Sequence, residues 1–209
     1  MITLYAIPVS LYCAKVRIVL RHKHLDWEEV TPPGGYGSDK YKAMVPAGNL
    51  PALDHDGLLI ADSEAIGEYL NEVFPEPDML PGSASQRAKL RELSRFHDTR
   101  LEPALRALFP HIAKQGQKSS ELQSLWDLTA SRLEQAAPLL DLTHRSLSLA
   151  DCGYAISLVW IDQLATHFDL DSCVNEDVRD YHAQLLSQRA VAEELVHYQP
   201  RLESWLATK

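Results

Sequence analysis

Three short stretches of this 209-residue chain hold side chains whose types and spacing suit chemistry. Ser10-Leu11-Tyr12-Cys13 has the spacing of a redox Cys-x-x-Cys motif with serine in the first place. In that motif the first cysteine is the exposed, low-pKa one and the second is more buried. Ser10 therefore has two compatible readings. One is a helix N-cap, and the other is a hydroxyl donating to a bound thiolate beside the N–H groups of a helix end. Each unit by which such a site lowers a thiol pKa requires about 1.4 kcal/mol of preference for the thiolate. Cys13 reads first as a small buried residue and second as the nucleophile of a thiol–disulfide exchange. The second stretch is Asn49-Leu50-Pro51, where Pro51 opens a strand at a point where ladder pairing starts or is interrupted. A cis Leu50-Pro51 bond would turn the N–H and C=O of Leu50 outward, free to pair with an extended, peptide-like ligand. The third is Asp62-Ser63, two good helix-start residues whose helix end offers unpaired N–H groups to a carboxylate.

The elements that must position these residues follow from local pattern. Ile2 to Ile7 reads as a strand, and Leu11 to Arg21 as a helix ending in basic Arg21, His22 and Lys23, which suit the negative end of its dipole. Trp27 to Val30 is a second strand, Thr31 to Ser38 a loop and Asp39 to Met44 a brief helix. Leu50 to Leu53 and Leu58 to Ile60 flank Asp56-Gly57, a hairpin signal, and the helix after Asp62-Ser63 places Ile66, Tyr69, Leu70 and Val73 on one face. A βαβαββα order predicts a small mixed sheet, parallel across the strand–helix–strand unit and antiparallel at the hairpin. Pro75 to Ser83, with three prolines and a glycine, is the clear linker.

Beyond the linker the pattern is helical. Ser85 to Leu108 is the longest candidate, kinked at Pro103, and Ser119 to Leu139 is another. Ser148-Leu149-Ala150-Asp151 predicts a capping box, and the segment from Cys152 to Leu164 is apolar on nearly all sides, so it belongs at the centre of a bundle. We therefore expect an α/β domain over 1–77, a linker over 78–84 and an all-helical domain over 85–209.

Composition narrows the function classes. The chain is 45% hydrophobic and 23% charged, with a net charge of −9 and a mean hydropathy of −0.21. That acidity argues against nucleic acid or an anionic membrane as the main partner. Three widely spaced cysteines make neither a disulfide framework nor a metal knuckle, and nine scattered histidines show no ligand spacing, so no metal is expected. Met1 to Tyr5 runs straight into a strand pattern, and no apolar run approaches the roughly 18 residues of a membrane span. A cytoplasmic protein is the expectation.

Val45-Pro46-Ala47-Gly48-Asn49-Leu50-Pro51-Ala52-Leu53 followed by Asp62-Ser63-Glu64-Ala65-Ile66 resembles the glutathione-binding half of the cytosolic glutathione transferase family. The resemblance implies a thioredoxin-like domain followed by a helical bundle, glutathione as co-substrate, a small apolar electrophile as second substrate, and a homodimer. It implies that Ser10 activates the glutathione thiol, as in serine-type members; cysteine-type members carry their nucleophile at that position. Ser63 is assigned to the γ-glutamyl carboxylate, Asp62 to its amine, the Leu50 backbone beside Pro51 to the cysteinyl part, and Asn49 to the glycine end. Lys40 and Lys42 can add charge there, although solvated lysine is the simpler reading. Tyr5 falls one residue from the position used by tyrosine-type members and reads as structural. Tyr12, His97, Arg100, Leu101 and Trp160 are candidate walls of the second-substrate pocket, with core packing the competing reading for each. Ser10 with Val16-Arg17-Ile18 also resembles zeta-class surroundings, although that class shows Ser-Ser-Cys where this chain has Ser10-Leu11-Tyr12. A glutathione-dependent isomerase, a thiol–disulfide oxidoreductase using Cys13, and a non-catalytic interaction module remain open alternatives.

Overall fold

A computed structural model describes residues 1–113, 119–141 and 146–209. Strand β1 (Ile2–Tyr5) leads into helix α1 (Leu11–His22), strand β2 (Glu28–Val30) and the short helix α2 (Asp39–Lys42). Strands β3 (Ala52–His55) and β4 (Leu58–Ala61) form a hairpin, and helix α3 (Ser63–Val73) follows. The sheet order is β2-β1-β3-β4, with β1 parallel to β2 and both later pairings antiparallel. The hairpin turns at Asp56 and Gly57, whose φ values of 52° and 89° match the two left-handed positions of a type I′ turn. This is the thioredoxin-like arrangement expected from the βαβαββα order, and among the described residues helices are the only regular elements of the second domain.

Helices α1 and α3 begin where a side chain accepts first-turn N–H groups. Ser10 does this for α1 and Asp62 for α3. Ser83 opens helix α4 (Ala84–Phe96) with a full capping box completed by Gln86. The predicted helix over 85–108 is broken earlier than its proline suggests. Residues His97–Leu101 form a π-helical turn, and Pro103 then sits in the first turn of α5 (Glu102–Arg106), the part of a helix where proline is best tolerated. Helices α6 (Phe109–Ile112) and α7 (Ser120–Ala136) follow.

The longest helix is α8 (Leu149–Phe168), and it is central, as its apolar run requires. At its start the Ser148 N–H and hydroxyl donate to Asp151 Oδ2 at 2.8 and 2.6 Å, so aspartate serves in the usual place of glutamate. Helix α8 packs on α1 of the first domain as well as on α4, α9 (Glu176–Leu186) and α10 (Arg189–Ala207). One apolar core consequently runs from Leu4 and Val16 through Leu158 to Leu202 across both domains.

Candidate active site

The N-termini of α1 and α3 open onto one groove between the domains. Its larger part is a cavity of about 530 Å³ that reaches Ser10, and its smaller part, about 290 Å³, reaches Asp62 and Ser63. Tyr12, Asn49 and Leu50 line both parts, so the two helix ends share a continuous space. Sequence-predicted Ser10, Asn49, Leu50, Asp62 and Ser63 are therefore brought together.

Ser10 caps α1, its Oγ accepting the Cys13 N–H at 3.3 Å. A hydroxyl that accepts with its oxygen can still donate its hydrogen into the groove. The Leu50–Pro51 bond is cis, and among the described residues no hydrogen bond engages the N–H or C=O of Leu50. The Asn49 carbonyl accepts from the Tyr41 hydroxyl at 2.8 Å, which fixes this turn from below. Asn49 Oδ1 is buried without a partner among the described residues, leaving an acceptor in need of a donor.

Asp62 sits at φ 102°, a left-handed conformation that costs a non-glycine residue roughly 1–3 kcal/mol. Its Oδ1 accepts from the N–H groups of Glu64 and Ala65 at 2.9 and 3.0 Å. Oδ2 is unengaged by any described residue. With those two donors taken, the N–H and hydroxyl of the almost fully buried Ser63 are the groups α3 presents to the groove.

A buried polar network backs this corner. Lys15 Nζ lies 2.7 Å from Glu64 Oε2 and 2.9 Å from Asp98 Oδ2, and Ser94 donates to the same Glu64 oxygen at 2.7 Å. His97 bridges Asp98 and Ser157 at 2.7 and 2.8 Å. Burial alone would raise the Asp98 pKa, but the hydrogen bond with His97 and the Lys15 ammonium outweigh it and hold it near about 2. Lys15 and Glu64 come from the first domain and Asp98 from the second, so this network ties the domains beneath Ser63.

Cys13 is fully buried, and burial pushes its thiol pKa up, against a lesser lowering effect from Ser10. Thiolate reactivity needs the reverse of both conditions. Tyr5 ends strand β1 with its ring 6.3 Å from that of Tyr41 and does not line the groove. Lys40 and Lys42 are exposed. Of the candidate walls, Tyr12 and Trp160 face the larger cavity, whereas His97 and Leu101 are fully buried and Arg100 lies outside the lining. The π-turn accounts for His97, since it carries the ring inward against α8 where Gly153 has no side chain.

The sequence reading did not single out Arg106, Phe109 and Trp205 in the larger cavity or Arg95 and Thr99 in the smaller one. Phe109 stacks on Trp160 at 4.7 Å, and Trp205 meets Trp160 edge-on at 5.9 Å. Burial, then Glu102 and Asp98, push the Tyr12 pKa up, so Tyr12 remains a neutral phenol. The only hint in the sequence was the aromatic and cationic composition of segments whose facing depends on the bundle.

Residues 4–78 match the family model of the glutathione S-transferase N-terminal domain. The chain is 29% identical over 201 residues to the stringent starvation protein A homolog of Pasteurella multocida, covering 92% of this chain and 89% of that protein. It is 31% identical over 118 residues to the probable maleylacetoacetate isomerase 1 of Drosophila melanogaster, covering 53% of this chain and 48% of that one. It is also similar to the crystal structure of a glutathione S-transferase from Rhodospirillum rubrum F11, with a TM-score of 0.73 and 29% identity over 93% of this chain and 92% of that one. Residues 4–78 thus match a glutathione S-transferase N-terminal domain, and the chain as a whole has the fold of the glutathione S-transferases. Among the described residues no group of histidine, cysteine and acidic side chains could hold a metal ion, and no helix is long and apolar enough to cross a membrane.

Proposed function

We propose that the chain is a serine-type glutathione transferase acting on a small, largely apolar electrophile. The observation that carries this reading is the continuity of the groove, with Ser10 at one helix end, Ser63 at another, and an unengaged Leu50 backbone between them. Glutathione would lie extended along Leu50. Its γ-glutamyl carboxylate would meet the Ser63 N–H and hydroxyl, its amine would meet Asp62 Oδ2, and Asn49 would serve the glycine end. The Ser10 hydroxyl and the N-terminus of α1 would stabilise the thiolate. A thiolate is already nucleophilic, so holding it against the electrophile supplies most of the catalysis. A homodimer formed in the family's manner belongs to this reading.

A second reading, a glutathione-dependent isomerase, is favoured by the similarity to the Drosophila isomerase and uses the same thiolate. The buried thiol of Cys13 weighs against a thiol–disulfide oxidoreductase. Calorimetry of glutathione binding to wild type and Ser63→Ala, with conjugation to an aryl chloride by wild type and Ser10→Ala, tests the proposal. We expect binding about tenfold weaker in Ser63→Ala and turnover at least about tenfold lower in Ser10→Ala. Well-folded protein that binds no glutathione would leave the non-catalytic interaction module. Turnover indifferent to Ser10 would remove it from the mechanism.

A further inference from the structure

Among the described residues, Arg106 is the only charged side chain lining the larger cavity. Its guanidinium lies 5.3 Å from the Phe109 ring centre and 5.9 Å from that of Tyr12, so it caps the aromatic wall formed with Trp160. Phe109 and Trp160 stack with their planes 25° apart, and this aromatic wall suits a flat π-system better than a branched aliphatic. Arg106 Nη2 donates to Glu102, one turn earlier on the same helix. Glu102 is only 3% exposed, whereas the Arg106 side chain is 51% exposed. A ligand in the cavity therefore meets the cation and not the carboxylate that anchors it. The Nε–H and the Nη1 amino group have no partner among the described residues, so an anchored cation keeps free donors at the cavity wall.

We propose that this cavity selects a flat, conjugated electrophile bearing an anionic group, a carboxylate or its equivalent, received by Arg106. This rests on the transferase reading for the word electrophile, but the anion preference is a property of the cavity alone. Arg106 is a specificity-determining residue here and takes no part in the thiol chemistry assigned to Ser10. Its charge-assisted hydrogen bonds are stronger than neutral ones and are lost when either partner is neutral.

The test is calorimetry with 3,5-dinitrobenzoate and neutral 1,3-dinitrobenzene, two unreactive flat probes, alongside turnover of 1-chloro-2,4-dinitrobenzene and its carboxylated counterpart 4-chloro-3,5-dinitrobenzoate. Wild type should bind the benzoate about tenfold more tightly than the neutral ring, and Arg106→Gln should bring the two within about twofold. Because Arg106→Gln leaves Glu102 without its cation, the double variant Glu102→Gln with Arg106→Gln is measured too, and should show the same levelling. Equal binding of the two probes by wild type, no binding of either, or a benzoate preference that survives both variants would overturn the proposal. A benzoate preference that disappears in the variants, with no turnover of either chloride by wild type, would uphold the anion site while removing the transferase reading.

Discussion

Tyr198 donates a hydrogen bond at 3.0 Å to the carbonyl of Val9, the residue whose peptide bond leads into Ser10. The same hydroxyl accepts from Trp160 Nε1 at 2.7 Å, so the aromatic wall, helix α10 and the Ser10 loop form one connected unit. Arg17 reinforces it, donating to the Pro8 carbonyl at 3.2 Å while its Nε is held by Glu194 of α10 at 2.6 Å.

Tyr198→Phe removes one donor and leaves the part-buried Val9 carbonyl and the buried Trp160 N–H short of a partner. We expect a loss of roughly 1–3 kcal/mol in stability by chemical denaturation. If Ser10 serves the glutathione thiol as proposed, a loosened Ser10 should also raise that thiol's pKa, seen in the pH profile of kcat/KM. An unshifted profile would confine Tyr198 to a structural role.

Gly153 is required by contact. A methyl group built there would stand 2.5 Å from His97 Cε1 and 2.6 Å from Nδ1, atoms of a ring held at both ends by Asp98 and Ser157. Gly153→Ala should therefore destabilise the protein by about 1–3 kcal/mol despite the helix propensity of alanine. Thermal unfolding measures it, and an unchanged midpoint would mean that His97 yields freely.

Asp98 makes stability pH-dependent at the acid end. Its folded pKa, near about 2, lies below the roughly 3.9 of an unfolded aspartate. The stabilisation is thus fully present above that unfolded value and is lost as pH falls through the folded one, amounting to roughly 2 kcal/mol. Urea midpoints of wild type should fall between pH 4 and pH 2 more steeply than those of Asp98→Asn, and parallel curves would contradict the assignment.

The thiols should separate by exposure. Cys13 and Cys152 are fully buried, and burial pushes both thiol pKa values up; Cys173 is partly exposed, with its pKa pushed up to about 11, chiefly by burial. In native protein a thiol-specific reagent should label Cys173 slowly and the other two only on unfolding. Cys13→Ala should keep turnover within about twofold of wild type, a change of about 0.4 kcal/mol in the barrier. Rapid labelling of Cys13, or lost turnover, would revive the redox reading.

Local pattern carried most of the first domain, because its elements are set by neighbours in sequence. Asp56-Gly57 specifies its hairpin, Ser10 and Asp62 specify helix starts, and the groove residues follow from those starts. The second domain was legible as helices but not as a surface. Whether Trp160 or His97 reaches the cavity depends on how α8 and the π-turn rotate against each other, and no local periodicity encodes that rotation. Arg106 and Trp205 escaped for the same reason, since they meet only when chain segments about a hundred residues apart converge. Pro200 lies inside α10, where local rules would end a helix, and the buried residues Tyr198 and Leu202 on either side keep that helix packed.

The clasp between Tyr198 and Val9 also sets a calendar for biosynthesis. The partner of Val9 emerges 189 residues after it, and Glu194 joins Arg17 across a separation of 177. At about 5–20 residues per second, the N-terminal domain waits on the order of ten seconds or more for the helix that steadies its serine. A nascent chain can thus hold a folded sheet while its Ser10 loop still lacks the contacts from α10 that steady it.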